Sequence, residues 1–280
     1  MRQSLIKSRH PSNSVLSMEE IIARAPAAFA TSKAAHLTDR YAALHTSDII
    51  PVMADHGYFP VQAAQTRARK GSDGEHKHHL LSFARIEDLP RSDRPEITLF
   101  NSHDGSGAVR LFAGVYRMIC SNGIVIGEGS SARVYHSQRQ LNGFEDMLRQ
   151  TIQNVPKVLE TMERMKETRL NFCHAADMAN KALHMRWNAL NERKGDENGV
   201  FFTDATFLDV INPTRNEDVG FDAYRLFNRI QENVLRGNAF VRSITAKRPE
   251  GVTRKARPIS SVKEHTTINE KLWSIVEEYV

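Results

Sequence analysis

Residues 101–106, Asn-Ser-His-Asp-Gly-Ser, place an imidazole, a carboxylate, an amide and two hydroxyls within six positions. These are the groups of a nucleophile–base–acid relay, and with a divalent ion they could also serve phosphodiester hydrolysis. Their order argues against a relay. Adjacent side chains of an extended segment point to opposite sides, so Asp104 is badly placed to orient His103. No nucleophile elbow accompanies them. Asp104-Gly105 and Asn122-Gly123 are turn signals, so the stretch from Asn101 to Gly123 reads as two turns and the strand between them.

Other candidates for chemistry are sparser. In His76-Lys77-His78-His79 the imidazoles of His76 and His78 share a strand face, but a metal would need two further ligands. Neither an HExxH pattern nor a cysteine pair supplies them. Gly127-Glu128-Gly129-Ser130-Ser131 lacks the Lys-Ser/Thr of a phosphate loop. Cys120 and Cys173 fit neither a disulfide framework nor a zinc spacing and read as buried thiols. No catalytic residue, metal or cofactor is assigned.

Cationic residues form a more coherent pattern. The 38 Lys and Arg exceed the 33 Asp and Glu by only +5, so placement matters more than the total. Arg67 and Arg69 share one face of a predicted strand. Lys77, His79 and Arg85 occupy odd positions of the next. Arg110 and Arg117 lie on the one after, with Tyr116 on the Arg110 side. Such a face could hold phosphates and a stacked base. Further on, Arg242, Lys247, Arg248, Arg254, Lys255 and Arg257 fall within sixteen positions that hold a single acid, Glu250. Read as a flexible arm, this run would clamp a polyanion.

The elements that must position these groups follow from periodicity and caps. Residues 1–17 read as a flexible arm, and Ser17 with Glu19 and Glu20 opens a first helix. A second helix starts at Thr46 or Ser47 and stops at Gly57. From Tyr58 the period becomes two: 58–69, 76–86 and 96–102 read as strands between turn-rich segments. Residues 109–116 satisfy both alternation and helical spacing, and Gly114 favours a strand. From about Gln140 the texture is helical, with long helices around Pro156, after Asn171, up to Gly237 and from a Thr cap near 266. The fold class is therefore α+β: residues 18–139 form an antiparallel sheet with flanking helices, and 140–280 form a helical region carrying the basic segment 242–257. No apolar leader or membrane-length run is present, which predicts a cytoplasmic protein.

The ordered set Gly57 to Pro60, Gln65 to Arg69, Lys77-His78, Asn101 to Gly105 and Cys120 to Gly123 resembles the phage/plasmid-like protein family, a group of domains of unknown function. Tyr58, between Gly57 and Phe59, departs from the family pattern. The match covers residues 41–136 best and implies a mobile-element setting, where DNA handling is usual work. In architecture alone, Arg-bearing antiparallel strands followed by a long helix look like phage single-strand annealing proteins of the Red-beta and RecT type, which implies oligomers.

Together these readings predict a non-catalytic nucleic-acid-binding protein, with single-stranded DNA as partner, acting in recombination or replication as a homo-oligomer. Two alternatives stand beside it. One is a metal-dependent nuclease using His103, Asp104 and Asn101. The other is a protein-interaction module directed at host defence.

Overall fold

The computed structural model describes residues 14–38, 41–66, 74–117, 124–136, 143–194, 199–201, 204–245, 247–259 and 262–280. It divides into two compact units, residues 1–159 and 160–280.

In the first unit, Ser17 caps helix α1 (Met18–Arg24) with a reciprocal capping box to Glu20, so two otherwise orphaned donors are satisfied. A 3-10 turn (Pro26–Phe29) follows. Helix α2 (Thr46–Asp55) has no side-chain cap, and the chain turns after it at Gly57, whose φ is +80°. Strands β1 (Phe59–Gln65), β2 (His79–Ala84), β3 (Asp93–Asn101), β4 (Val109–Arg117) and β5 (Ile124–Val134) form a five-stranded antiparallel sheet in chain order. The ambiguous 109–116 segment is thus strand, as Gly114 suggested.

Alternation along the strands gives the sheet two unlike faces. On one, Leu81 pairs with Ala63 and Leu99, Leu99 with Leu111, and Phe83 with Ile97, all fully buried. Each large side chain of this kind contributes roughly 1.5–3 kcal/mol on burial. Helix α2 lies on this face, where the Thr46 hydroxyl donates to His79 Nε2 at 2.7 Å. The other face is polar yet also buried. Ser82 sits 3.1 Å from Thr98 Oγ1 and donates to Gln62 Oε1 at 3.5 Å. Beside them Arg94 and Glu96 form an ion pair at 2.5 Å with side chains 1% and 0% exposed.

Helix α3 (Phe144–Glu167) carries the division between the units. The second unit continues with α4 (Phe172–Lys194), β6 (Gly199–Phe201), α5 (Asp204–Ile211), α6 (Ala223–Arg236), β7 (Phe240–Thr245), β8 (Arg248–Lys255) and α7 (Val262–Glu277). Helix α6 is its axis. Asp222 caps it by accepting from the Arg225 N–H at 2.9 Å, and Gly237 ends it at φ +70°. Glu232 on α6 draws Arg215 to 2.5 Å and Arg236 to 3.3 Å. Phe227 meets the Trp273 ring of α7 edge-on at 5.9 Å.

Three expectations need correction here, the first being that Cys173, read as a buried thiol, is exposed at the start of α4. The basic segment 242–257, predicted to be an arm without structure, is mostly the β7–β8 hairpin, which with β6 makes a three-stranded sheet in the order β6-β7-β8. The final helix begins at Val262 rather than near Thr266.

Candidate nucleic-acid interface

The cationic residues expected on the first sheet do not share one open surface. Every residue of β2 is buried, and so are eight of the nine residues of β3. His79 is 0% exposed, fixed between the Lys77 carbonyl, which accepts from Nδ1 at 3.0 Å, and the Thr46 hydroxyl. Burial pushes its pKa down to about 4, so it carries no charge at neutral pH. Tyr116 is 2% exposed beneath Arg94, whose guanidinium lies 5.3 Å from the ring centre, so it offers no platform for a base. These two placements correct the expectation of a surface role.

Lys77 is half-buried just before β2, and Arg85, just after it, is exposed. Arg85 lies over the Tyr58 ring at 5.2 Å and pairs with Glu87 at 3.6 Å. Arg110 is half-buried over Phe112 at 4.6 Å and stands directly across from Arg133 of β5. Arg67 and Arg69 lie outside the described residues, as does the Arg117 side chain.

The 101–107 loop explains what its chemistry-bearing residues do. Asp104 accepts from the Ser106 N–H at 3.0 Å and the Ser106 hydroxyl at 2.7 Å, and His78 Nε2 lies 2.9 Å from that hydroxyl. Burial pushes the Asp104 pKa up, but the bonds from Ser106 and the nearby His78 outweigh it, and the net shift is down. The carboxylate therefore serves the turn, not His103. Asn101 donates to the Leu44 carbonyl at 2.9 Å and to Thr46 Oγ1 at 3.0 Å.

His103 is 0% exposed and lies at the centre of a ring of imidazoles that the sequence did not reveal. The rings of His45, His79 and His136 stand 5.5, 5.4 and 6.0 Å from its own. Neither His103 nitrogen has a hydrogen-bond partner among the described residues. Burial, then the neighbouring imidazoles, push its pKa down to about 3. Among the described residues no three His, Cys, Asp or Glu side chains are arranged to hold a metal ion.

The second unit gathers its cations differently. On the outer face of the β7–β8 hairpin, Phe240 pairs across the ladder with Lys255 and Arg242 with Thr253. All four are exposed, Phe240 to 49%. Lys247, Arg248, Arg254 and Arg257 are exposed along the turn and the edge strand. None of the six basic residues makes an ion pair among the described residues, in contrast to Arg215, Arg225 and Arg236 around α6. Arg242 instead donates to the Glu250 carbonyl, which holds its guanidinium along the hairpin.

The hairpin base is fixed. The Phe240 carbonyl accepts from the Thr206 hydroxyl at 2.7 Å, and its N–H donates to Asp209 Oδ2 at 3.1 Å. The Ala256 N–H reaches the Ala239 carbonyl at 2.8 Å, and Arg186 spans the carbonyls of Val234 and Arg257. Burial lowers the Arg186 pKa to about 10, which still leaves it charged at neutral pH. Phe240 and Thr253 were missed from sequence, although the alternation Phe240, Arg242 against Val241, Ser243 is a strand signal.

No helix among the described residues is long and apolar enough to cross a membrane. No solved structure matches the chain. It is 28% identical over 265 residues to the UPF0380 proteins YafZ and YfjQ of Escherichia coli (strain K12), covering 94% of this chain and 90% of each relative. Residues 34–273 match the family described as Domain of unknown function (DUF932), and over that span, both sheets and most of the helices included, the chain belongs to this family.

Proposed function

We propose that the protein binds nucleic acid, single-stranded DNA foremost, on the β7–β8 hairpin. The supporting observation is the outer face on which exposed Phe240 stands between Arg242 and Lys255, with four more cations along the turn and edge and none of the six ion-paired among the described residues. An aromatic ring flanked by unpaired cations suits a base stacked between neighbouring phosphates, and it tolerates any sequence because every base has a π-face. The track is shorter than the sequence suggested and belongs to one hairpin. Within the first unit, Lys77, Arg85 and Arg110 are secondary candidates.

A cytoplasmic role in a mobile element, in recombination or replication and as a homo-oligomer, fits this chemistry and the resemblance set out from sequence. Binding is favoured over hydrolysis because Asp104 is engaged by Ser106 and His103 is caged among imidazoles. Titration of a labelled oligothymidylate over a salt series tests the reading. Affinity should fall as salt rises, and a flat response would overturn it.

A further inference from the structure

The segment between the first turn and α2, residues 30–38 and 41–45, has no regular secondary structure yet lies across one end of the five-stranded sheet. Its attachments run through histidines. Leu44 N–H donates to His136 Nδ1 at 3.2 Å, and Ala42 N–H donates to the His136 carbonyl at 3.3 Å. His45 Nδ1 donates to the Ala30 carbonyl at 2.9 Å, and His76 Nε2 lies 3.1 Å from the Ser32 hydroxyl. His36 Nε2 donates to the Asp104 carbonyl at 3.1 Å, and Ala34 N–H reaches the His103 carbonyl at 3.4 Å.

One of these bonds fixes a tautomer. Because His136 Nδ1 accepts from Leu44, the neutral ring carries its proton on Nε2. The next proton must then go to Nδ1. It would turn the acceptor for Leu44 into a donor and set N–H against N–H. The same charge would lie beside four rings that cannot neutralise it. His136 faces His103, whose ring is 6.0 Å away, Tyr41, whose ring is 5.0 Å away, and also His45 and His79. His103 in turn faces His45, His76, His79 and His136. Asp104 is the acid acting on His136 among the described residues, and its carboxylate is already engaged by Ser106.

We propose that this segment is a proton-released strap: it stays on the sheet while the imidazoles beneath it are neutral, and it lifts before the rest of the domain when they take up protons. Lifting would bare the buried Asn101–His103 edge and the end of β2. Burial pushes the His136 pKa down to about 4 while the strap is seated, so between roughly pH 6.5 and that value the lifted state binds the extra proton. The linkage for this one ring raises the lifting equilibrium roughly twentyfold between neutral pH and about pH 5.

Amide hydrogen exchange on the full chain, corrected for the intrinsic pH dependence, tests this. Amides of 41–45 and 102–104 should lose protection by at least that factor in acid, and at every pH they should exchange through an opening less costly than that of β3. Unchanged strap amides, or strap amides as well protected as those of β3, would overturn the proposal. His136→Asn supplies Oδ1 where Nδ1 stood, so it keeps an acceptor for Leu44 that cannot titrate. The acid response of the Leu44 amide should largely vanish, and a response equal to wild type would count against the mechanism. Nitrogen chemical shifts of the unmutated protein give an independent check: a neutral His136 protonated on Nδ1 would also overturn it.

Discussion

Gly237 lies so close to Ala256 that a Cβ on the glycine would sit 2.4 Å from the alanine carbonyl oxygen. The glycine ends α6 in the left-handed region at φ +70°, and the chain leaving β8 passes directly over it. Gly237→Ala therefore meets two costs. The conformation alone costs roughly 1–2 kcal/mol, and the contact with main chain adds to it because a backbone cannot swing aside as a side-chain tip can. Thermal unfolding should show a clear loss of stability, with the hairpin amides losing protection first. A melting temperature equal to wild type would contradict the placement of the hairpin on the end of α6.

On the hairpin itself, two substitutions should separate stacking from charge. Phe240→Ala should weaken oligothymidylate binding by about 1–3 kcal/mol without altering the slope of log affinity against log salt. Arg242→Ala should reduce that slope by roughly 0.7 as one phosphate contact is lost. Fluorescence anisotropy over a salt series reads both. Identical behaviour of the two variants would argue that neither side chain touches the strand.

Acid should destabilise the first unit through three rings. The folded pKa values of His79 and His136 are pushed down to about 4 and that of His103 to about 3, mainly by burial. Below the ordinary histidine value of about 6.5 the unfolded chain binds protons that the folded one refuses. Stability is therefore full above that value and is lost as the pH falls toward the folded values. The loss is on the order of 2 kcal/mol per ring at about pH 5. Urea unfolding at neutral pH and at about pH 5 measures it. Constant stability across that window would mean that the rings are more hydrated than their packing indicates.

The ion pair of Arg94 and Glu96 gives a fourth expectation. Both side chains are almost fully buried, so Glu96→Gln removes the carboxylate charge that lies 2.5 Å from the guanidinium. Breaking such a pair on one side costs about 3–5 kcal/mol, whereas replacing both partners by apolar residues of similar volume is often close to neutral. Denaturant unfolding should thus find Glu96→Gln less stable than the double variant Arg94→Met, Glu96→Leu. The reverse order would show that the pair is better solvated than its burial implies.

The first sheet was legible because its signals are local. Alternation from Val109 to Tyr116, the turn at Asp104-Gly105 and the capping residues at Ser17 and Glu20 each act within a few positions. The hairpin was read as an arm because Pro249 and Gly251 both speak against a strand. The structure tolerates them because β8 is an edge strand, and Gly251 adopts φ +75°. Tyr116 was taken for a surface residue because alternation alone cannot say whether the polar face of a sheet is wet, and here that face is buried; His79 lies on the apolar face with Leu81, beneath Thr46 of α2. The histidine ring was invisible for a different reason. Its members at 45, 79, 103 and 136 meet only through the register of β2 with β3 and the return of β5 alongside β4.

That sheet also constrains the order of assembly. Strands β1 to β5 pair only with their neighbours along the chain, so the sheet can be laid down in the order of synthesis without any strand waiting for a distant partner. The strap is the exception: besides the Ala42–His136 bond, the bond between Leu44 and His136 joins residues 92 positions apart. It can close only after the last strand has emerged, so a nascent chain keeps His136 hydrated until the whole sheet exists, and the dehydration of that ring marks its completion.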